Sequence, residues 1–80
     1  MKNQSQTIRT IRALRAKNGY SLDDIAAETG ITRSKCYKIE SHNELKNERY
    51  NDLIALSQAF NMTVDELIKE NLEDIERNQQ

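Results

Sequence analysis

Eighty residues make one small domain at most, and a composition of 36% hydrophobic and 31% charged residues suits a compact chain with a thin core rather than a disordered one. A single cysteine, Cys36, excludes an internal disulfide and points to a reducing cytoplasm; no apolar run reaches the length of a membrane span, and no signal-peptide pattern opens the chain. The net charge of -1 argues mildly against a nucleic-acid partner, but residues 1–21 carry Lys2, Arg9, Arg12, Arg15 and Lys17 with no acid, and residues 53–80 carry six acids against Lys69 and Arg77. A chain split this way presents a basic and an acidic face, and phosphate responds to the local field rather than to the sum.

Proline is absent, glycine occurs twice, and no long stretch alternates apolar with polar residues, so the chain is expected to be all-helical. Residues 1–6 are polar and read as a flexible N-terminal arm. Ile8, Ile11 and Leu14 recur every three residues and mark one face of a first helix, which ends at Asn18-Gly19. Three later starts share one signature. Ser21 caps a second helix with Asp24 at its third position and Tyr20 and Ile25 as a hydrophobic staple. Thr32 repeats the arrangement with Ile31 and Cys36, and Thr63 does so with Met62, Leu67 and a capping Glu66. Between the last two starts, Leu53, Ile54, Leu56, Ala59 and Phe60 supply the stripe of a fourth helix beginning near Asn47. From Thr63 onward, Val64, Leu67, Ile68, Leu72 and Ile75 continue a helical pattern. The expected organisation is an arm over 1–6, a domain over 7–70, and an acidic helical extension or tail over 71–80.

Two short helices, about 22–29 and 33–40, are separated by Gly30-Ile31-Thr32. A turn this tight needs a residue that tolerates positive φ, which Gly30 does without steric penalty. Ala26 is small enough for the helices to cross closely, and Ile25, Ile31, Cys36 and Ile39 form the inward set. With Cys36 and Ile39 inside, helical geometry turns Ser34, Lys38 and Ser41 outward, with Tyr37 and His42 on the flanks and Lys35 nearby. Tyr37 either packs on the fourth helix or faces a ligand. Cys36 reads as a small core residue rather than a redox sensor.

Taken in order, Ile11-Arg12-Ala13-Leu14-Arg15, Gly19-Tyr20-Ser21, Asp23-Asp24-Ile25-Ala26, Gly30-Ile31-Thr32-Arg33-Ser34, Lys38-Ile39-Glu40, Leu53, Ala59-Phe60 and Met62-Thr63-Val64-Asp65-Glu66-Leu67 resemble the Cro/CI-type (XRE family) helix-turn-helix regulators of phages and bacteria. The likeness spans roughly Ile8 to Ile68. It implies a lambda-repressor-like bundle of five helices whose third helix enters the DNA major groove, and the apolar spacing through Ile75 extends the last helix beyond a minimal domain. By that resemblance Arg33, Ser34, Lys35 and Lys38 hold the base-reading positions; Arg and Lys suit guanine O6 and N7, and Ser serves several bases. Thr32, Tyr37 and Ser41 are further candidate contacts, and Asn43 and Lys46 match family positions that touch the backbone. Arg15 and Glu40 match a partly buried ion pair between the first and third helices. Leu72 and Ile75 either fold back onto the bundle as a lengthened last helix or are candidate dimer contacts, since family members commonly bind two-fold symmetric operators as homodimers.

The chain also departs from the family pattern. Leu22 stands where a DNA-contacting glutamine is usual, His42 stands near a usual glycine, and the proline before the fourth helix is missing. Asp23, Asp24 and Glu28 make the second helix acidic, which requires that face to turn from phosphate.

The expected function is sequence-specific binding of double-stranded DNA as a transcriptional regulator, a repressor of phage or mobile-element type. The alternative is a protein-interaction module, an antirepressor or adaptor, on the same fold. No catalytic constellation, phosphate-cradling glycine loop or metal cluster stands out, so no enzyme activity, cofactor or small-molecule ligand is expected.

Overall fold

The computed structural model describes residues 9–78, and these form five α-helices and no strand. They are α1 (Thr10–Asn18), α2 (Leu22–Thr29), α3 (Arg33–His42), α4 (Tyr50–Ala59) and α5 (Val64–Asn78), with a single 3-10 turn at Leu45–Asn47 before α4. Ile8 and the arm over 1–6 lie outside the described residues.

Local chemistry sets the boundaries where a cap is available. The Ser21 hydroxyl accepts the Asp24 N–H at 3.0 Å, and the Asp24 carboxylate accepts the Ser21 N–H at 2.9 Å, closing a capping box. Thr63 and Glu66 close the same box at the head of α5, at 3.0 and 2.8 Å. Thr32 accepts the Lys35 N–H at 3.2 Å. Gly19 (φ 71°) and Gly30 (φ 76°) take the left-handed conformation that ends α1 and α2. α3 runs two residues past its expected end and stops at Asn43, whose φ of 55° fills the left-handed position without a glycine. His42 is therefore the last residue of α3, not a loop residue.

The core gathers Ile11, Ile25, Ile31, Cys36, Ile39, Leu45, Leu53, Leu56, Phe60 and Leu67. Tyr20 lies over Phe60, ring centroids 6.2 Å apart. The expected inward set of the helix pair is all buried.

On α5 the outcome differs from the apolar pattern. Only Leu67 of the expected stripe is fully buried, and the inner face continues through Asn71 and Asp74, 0% and 3% exposed. Leu72 is exposed and Ile75 is half-buried. The inner row 67, 71, 74 and the apolar row 68, 72, 75 have the same spacing, displaced by one residue, or 100° around the helix.

That inner row is polar because it serves backbone ends. Asn71 Oδ1 accepts the Leu45 N–H at 3.0 Å, and its Nδ2 lies 3.0 Å from Thr10 Oγ1 and 3.1 Å from the Asn43 carbonyl. Thr10 in turn donates its hydroxyl to Asp74 at 2.8 Å, and Arg77 pairs with Asp74. Packing thus runs past residue 70, the boundary expected from sequence, because α5 supplies partners to α1 and to the chain after α3.

Candidate nucleic-acid interface

The α2–turn–α3 unit is held from behind. Arg15 on α1 makes a two-pronged contact to Glu40 on α3, Nε to Oε2 at 2.9 Å and Nη2 to Oε1 at 3.1 Å. Its Nη1 donates to the Tyr20 carbonyl at 3.1 Å. The guanidinium therefore ties α1, the α1–α2 turn and α3 in one plane, as the resemblance implied. Cys36 fills the space beneath α3, its Sγ 3.8 Å from the Ile31 carbonyl, and burial pushes its thiol pKa up. A buried neutral thiol is core, not a redox sensor.

The opposite face of α3 is open. Thr32, Arg33, Ser34, Tyr37, Lys38 and His42 are exposed, and Ser41 is half-buried. Tyr37 is 58% exposed, so its ring lies on the outer surface rather than in the core. Thr32 is committed to the helix cap, its hydroxyl oxygen accepting the Lys35 N–H. Lys46 is exposed in the 3-10 turn.

Two of the expected contacts are placed otherwise. Lys35 is half-buried on the flank of α3 that meets α4, with Nζ 2.9 Å from Asp52 Oδ2. That carboxylate oxygen is buried with no other polar partner among the described residues, so the ammonium serves as its counter-charge and is held toward α4. Asn43 is 9% exposed, and its Oδ1 accepts the Thr10 N–H at 2.9 Å. Because α1 has no side-chain cap of its own, Asn43 supplies one from across the bundle, which directs it inward and not toward a DNA backbone.

Arg33, at the head of α3, lies with Nε 2.9 Å from Asp23 Oδ1 in the first turn of α2. The acidic start of α2 is thereby accounted for: Asp24 closes the cap, where the Ser21 backbone and hydroxyl hydrogen bonds hold its carboxyl below the ordinary value, and Asp23 faces Arg33. Arg49 and Tyr50, which the sequence did not single out, are exposed at the start of α4. No local cap marks that start, so nothing in the sequence fixed their position.

A capped helix, a glycine turn at positive φ and a second capped helix with a buried inner and polar outer face coincide with a family model described as a helix-turn-helix domain, which matches residues 8–73. The chain belongs to the helix-turn-helix family of the Cro/CI type. Membership supports DNA as its partner and gene regulation as its setting. The match to this helix-turn-helix family takes in Asn71, in keeping with that residue's place in the core. No curated protein and no solved structure shows a significant match to the chain. Among the described residues no helix is long and apolar enough to cross a membrane.

Proposed function

We propose that this chain is a sequence-specific double-stranded DNA-binding repressor that inserts α3 into the major groove and acts by occupying its operator rather than by catalysis. The observation that carries the reading is the outer face of α3, where Arg33, Ser34, Tyr37 and Lys38 stand exposed while Cys36, Ile39 and Glu40 anchor the helix from behind. Arg33, Ser34 and Lys38 are the base readers on this reading, with Tyr37, Ser41 and Thr32 beside them. Lys46, with Arg49 and Tyr50 at the start of α4, meets the DNA backbone and fixes register. Two copies bind a palindromic operator, and the apolar row Ile68, Leu72 and Ile75 on α5 is the surface by which they meet. Such a regulator is of the phage or bacterial kind and works in the cytoplasm.

Selection from random duplex DNA at low salt, run beside sizing chromatography with and without the selected duplex, tests this. An enriched two-fold symmetric motif and a complex of two chains are expected, with affinity falling as salt rises at a log–log slope of about -0.9 per neutralised phosphate. Failure to enrich any motif overturns the reading.

A second reading has one observation behind it. Asp23 and Asp52 already neutralise Arg33 and Lys35, leaving Lys38 the cation on α3 without an ion pair among the described residues. This favours a protein-interaction module, antirepressor or adaptor, which predicts no salt-dependent DNA binding and a protein partner recovered by pull-down.

A further inference from the structure

We propose that Asp23 is a positioning residue that makes Arg33 a guanine reader and keeps it off phosphate, so that the second helix helps set the base preference of the third. The inference rests on the DNA-binding reading above. The two side chains are 63% and 77% exposed, and at that exposure an ion pair adds little to stability. Its consequence lies in the geometry of the guanidinium.

A guanidinium is a rigid plane with Nε on one edge and two terminal amino groups at its outer end. The closest approach of Asp23 to Arg33 is through Nε, at 2.9 Å. Among the described residues no N–H of the Arg33 guanidinium makes a hydrogen bond, Nε–H included, so the Asp23 contact is an ion contact without hydrogen-bond alignment and both terminal amino groups remain open. Arginine addresses guanine O6 and N7 as a bidentate pair, and that open end has the two donors required.

Asp23 acts on this group in two ways. A carboxylate 2.9 Å from Nε holds the head group of Arg33 beside the first turn of α2 before DNA arrives, which lowers the ordering cost on binding. It also sets a negative charge beside the cation. A phosphate approaching Arg33 meets that charge and is repelled, whereas the uncharged acceptor edge of guanine is not. Arg33 is thereby biased toward a base and Lys38, without an ion pair, is left equally able to meet base or backbone. Lys35 gains nothing comparable from Asp52, because an ammonium is a single point of charge with no second edge to offer.

The test uses the full chain as wild type and as Asp23→Asn, Asp23→Glu and Arg33→Ala, each taken through selection from random duplex DNA and then titrated against the selected duplex and a scrambled one over a salt series. Asp23 is exposed and its removal leaves the core intact, which helical circular dichroism checks. The expected wild-type motif has a guanine at one position of each half-site. Arg33→Ala relaxes that position alone by tenfold or more, Asp23→Asn relaxes it a few-fold, as an exposed ion pair allows, and Asp23→Glu retains it. Asp23→Asn also binds scrambled DNA several-fold more tightly than wild type, with a salt slope steeper by up to about 0.9. Retention of the guanine preference in Asp23→Asn overturns the inference, as does its persistence in Arg33→Ala or its loss in Asp23→Glu. These outcomes leave the DNA-binding reading standing. Only the absence of a wild-type motif removes both.

Discussion

The side-chain amide of Asn71, on α5, lies within hydrogen-bond reach of both the backbone carbonyl and the Oδ1 of Asn43, at 3.1 and 3.2 Å, and so clasps the residue that ends α3. Asn71 is fully buried, and its other end accepts the Leu45 N–H. One side chain thus satisfies the chain on both sides of the turn after α3.

Replacing Asn71 with Ala or Leu orphans the Leu45 N–H and the Asn43 carbonyl inside the bundle. A loss of about 2–4 kcal/mol is expected, since each buried polar group left unpaired costs about 1–3 kcal/mol. Urea unfolding checks it. A chain cut after residue 70 should lose at least as much, because it also removes Asp74 from Thr10.

Arg15 and Glu40 form a pair whose side chains are 17% and 7% exposed. Removing one partner strands the other in a low-dielectric site, so Arg15→Met or Glu40→Met alone should cost about 3 kcal/mol. The double replacement should recover most of that. A double-mutant cycle in chemical unfolding measures the coupling, and additive single effects would show that the pair does not act as a unit.

Gly30 has φ 76°, and nothing lies within 4 Å of where a Cβ would stand. The cost of Gly30→Ala is therefore one of backbone conformation and not of collision, about 1–2 kcal/mol. Gly30→Asn should cost less, since asparagine tolerates the left-handed region, as Asn43 and Asn61 do here. Thermal melts of the two variants give the order.

Lys35 and Lys38 separate stability from recognition. Lys35→Ala leaves Asp52 Oδ2 buried without its counter-charge and should lower stability by about 1 kcal/mol, with Lys35→Ala/Asp52→Ala regaining it. Lys38→Ala, on the open face, should leave stability within about 0.5 kcal/mol of wild type and weaken DNA binding. The same pair of measurements on each variant decides the assignment.

The Asp24 carboxyl is held below its ordinary 3.8 by the Ser21 hydrogen bonds. A carboxyl depressed in the folded state makes the unfolded state bind more protons as pH falls, so its stabilising contribution is present above about pH 4 and is lost as pH falls through the folded value. Asp24→Asn should therefore flatten the acid limb of a stability–pH curve. Cys36 works in the opposite sense, since its raised pKa keeps the folded thiol protonated while the unfolded thiol ionises. Its contribution is full below the unfolded value and fades as pH rises toward the folded one. Thiol alkylation in the native state should track the unfolding rate.

The sequence by itself determined the helices whose ends are capped by their own neighbours. Ser21 with Asp24, Thr32, Gly19, Gly30 and Thr63 with Glu66 satisfy backbone groups within a few residues, so α2, the turn, the start of α3 and the start of α5 were legible. The inward set Ile25, Ile31, Cys36 and Ile39 was legible for the same reason, because helical period alone puts those residues on one face. Only the tertiary structure decided what depends on partners far along the chain. Asn43 caps α1 from 33 residues away, and Asn71 reaches Leu45 from 26. No apolar pattern foretells a polar inner face on α5. Asp52 draws Lys35 toward α4 and Asp23 meets Arg33, because which charges become neighbours is set by how the helices cross, not by their spacing in sequence.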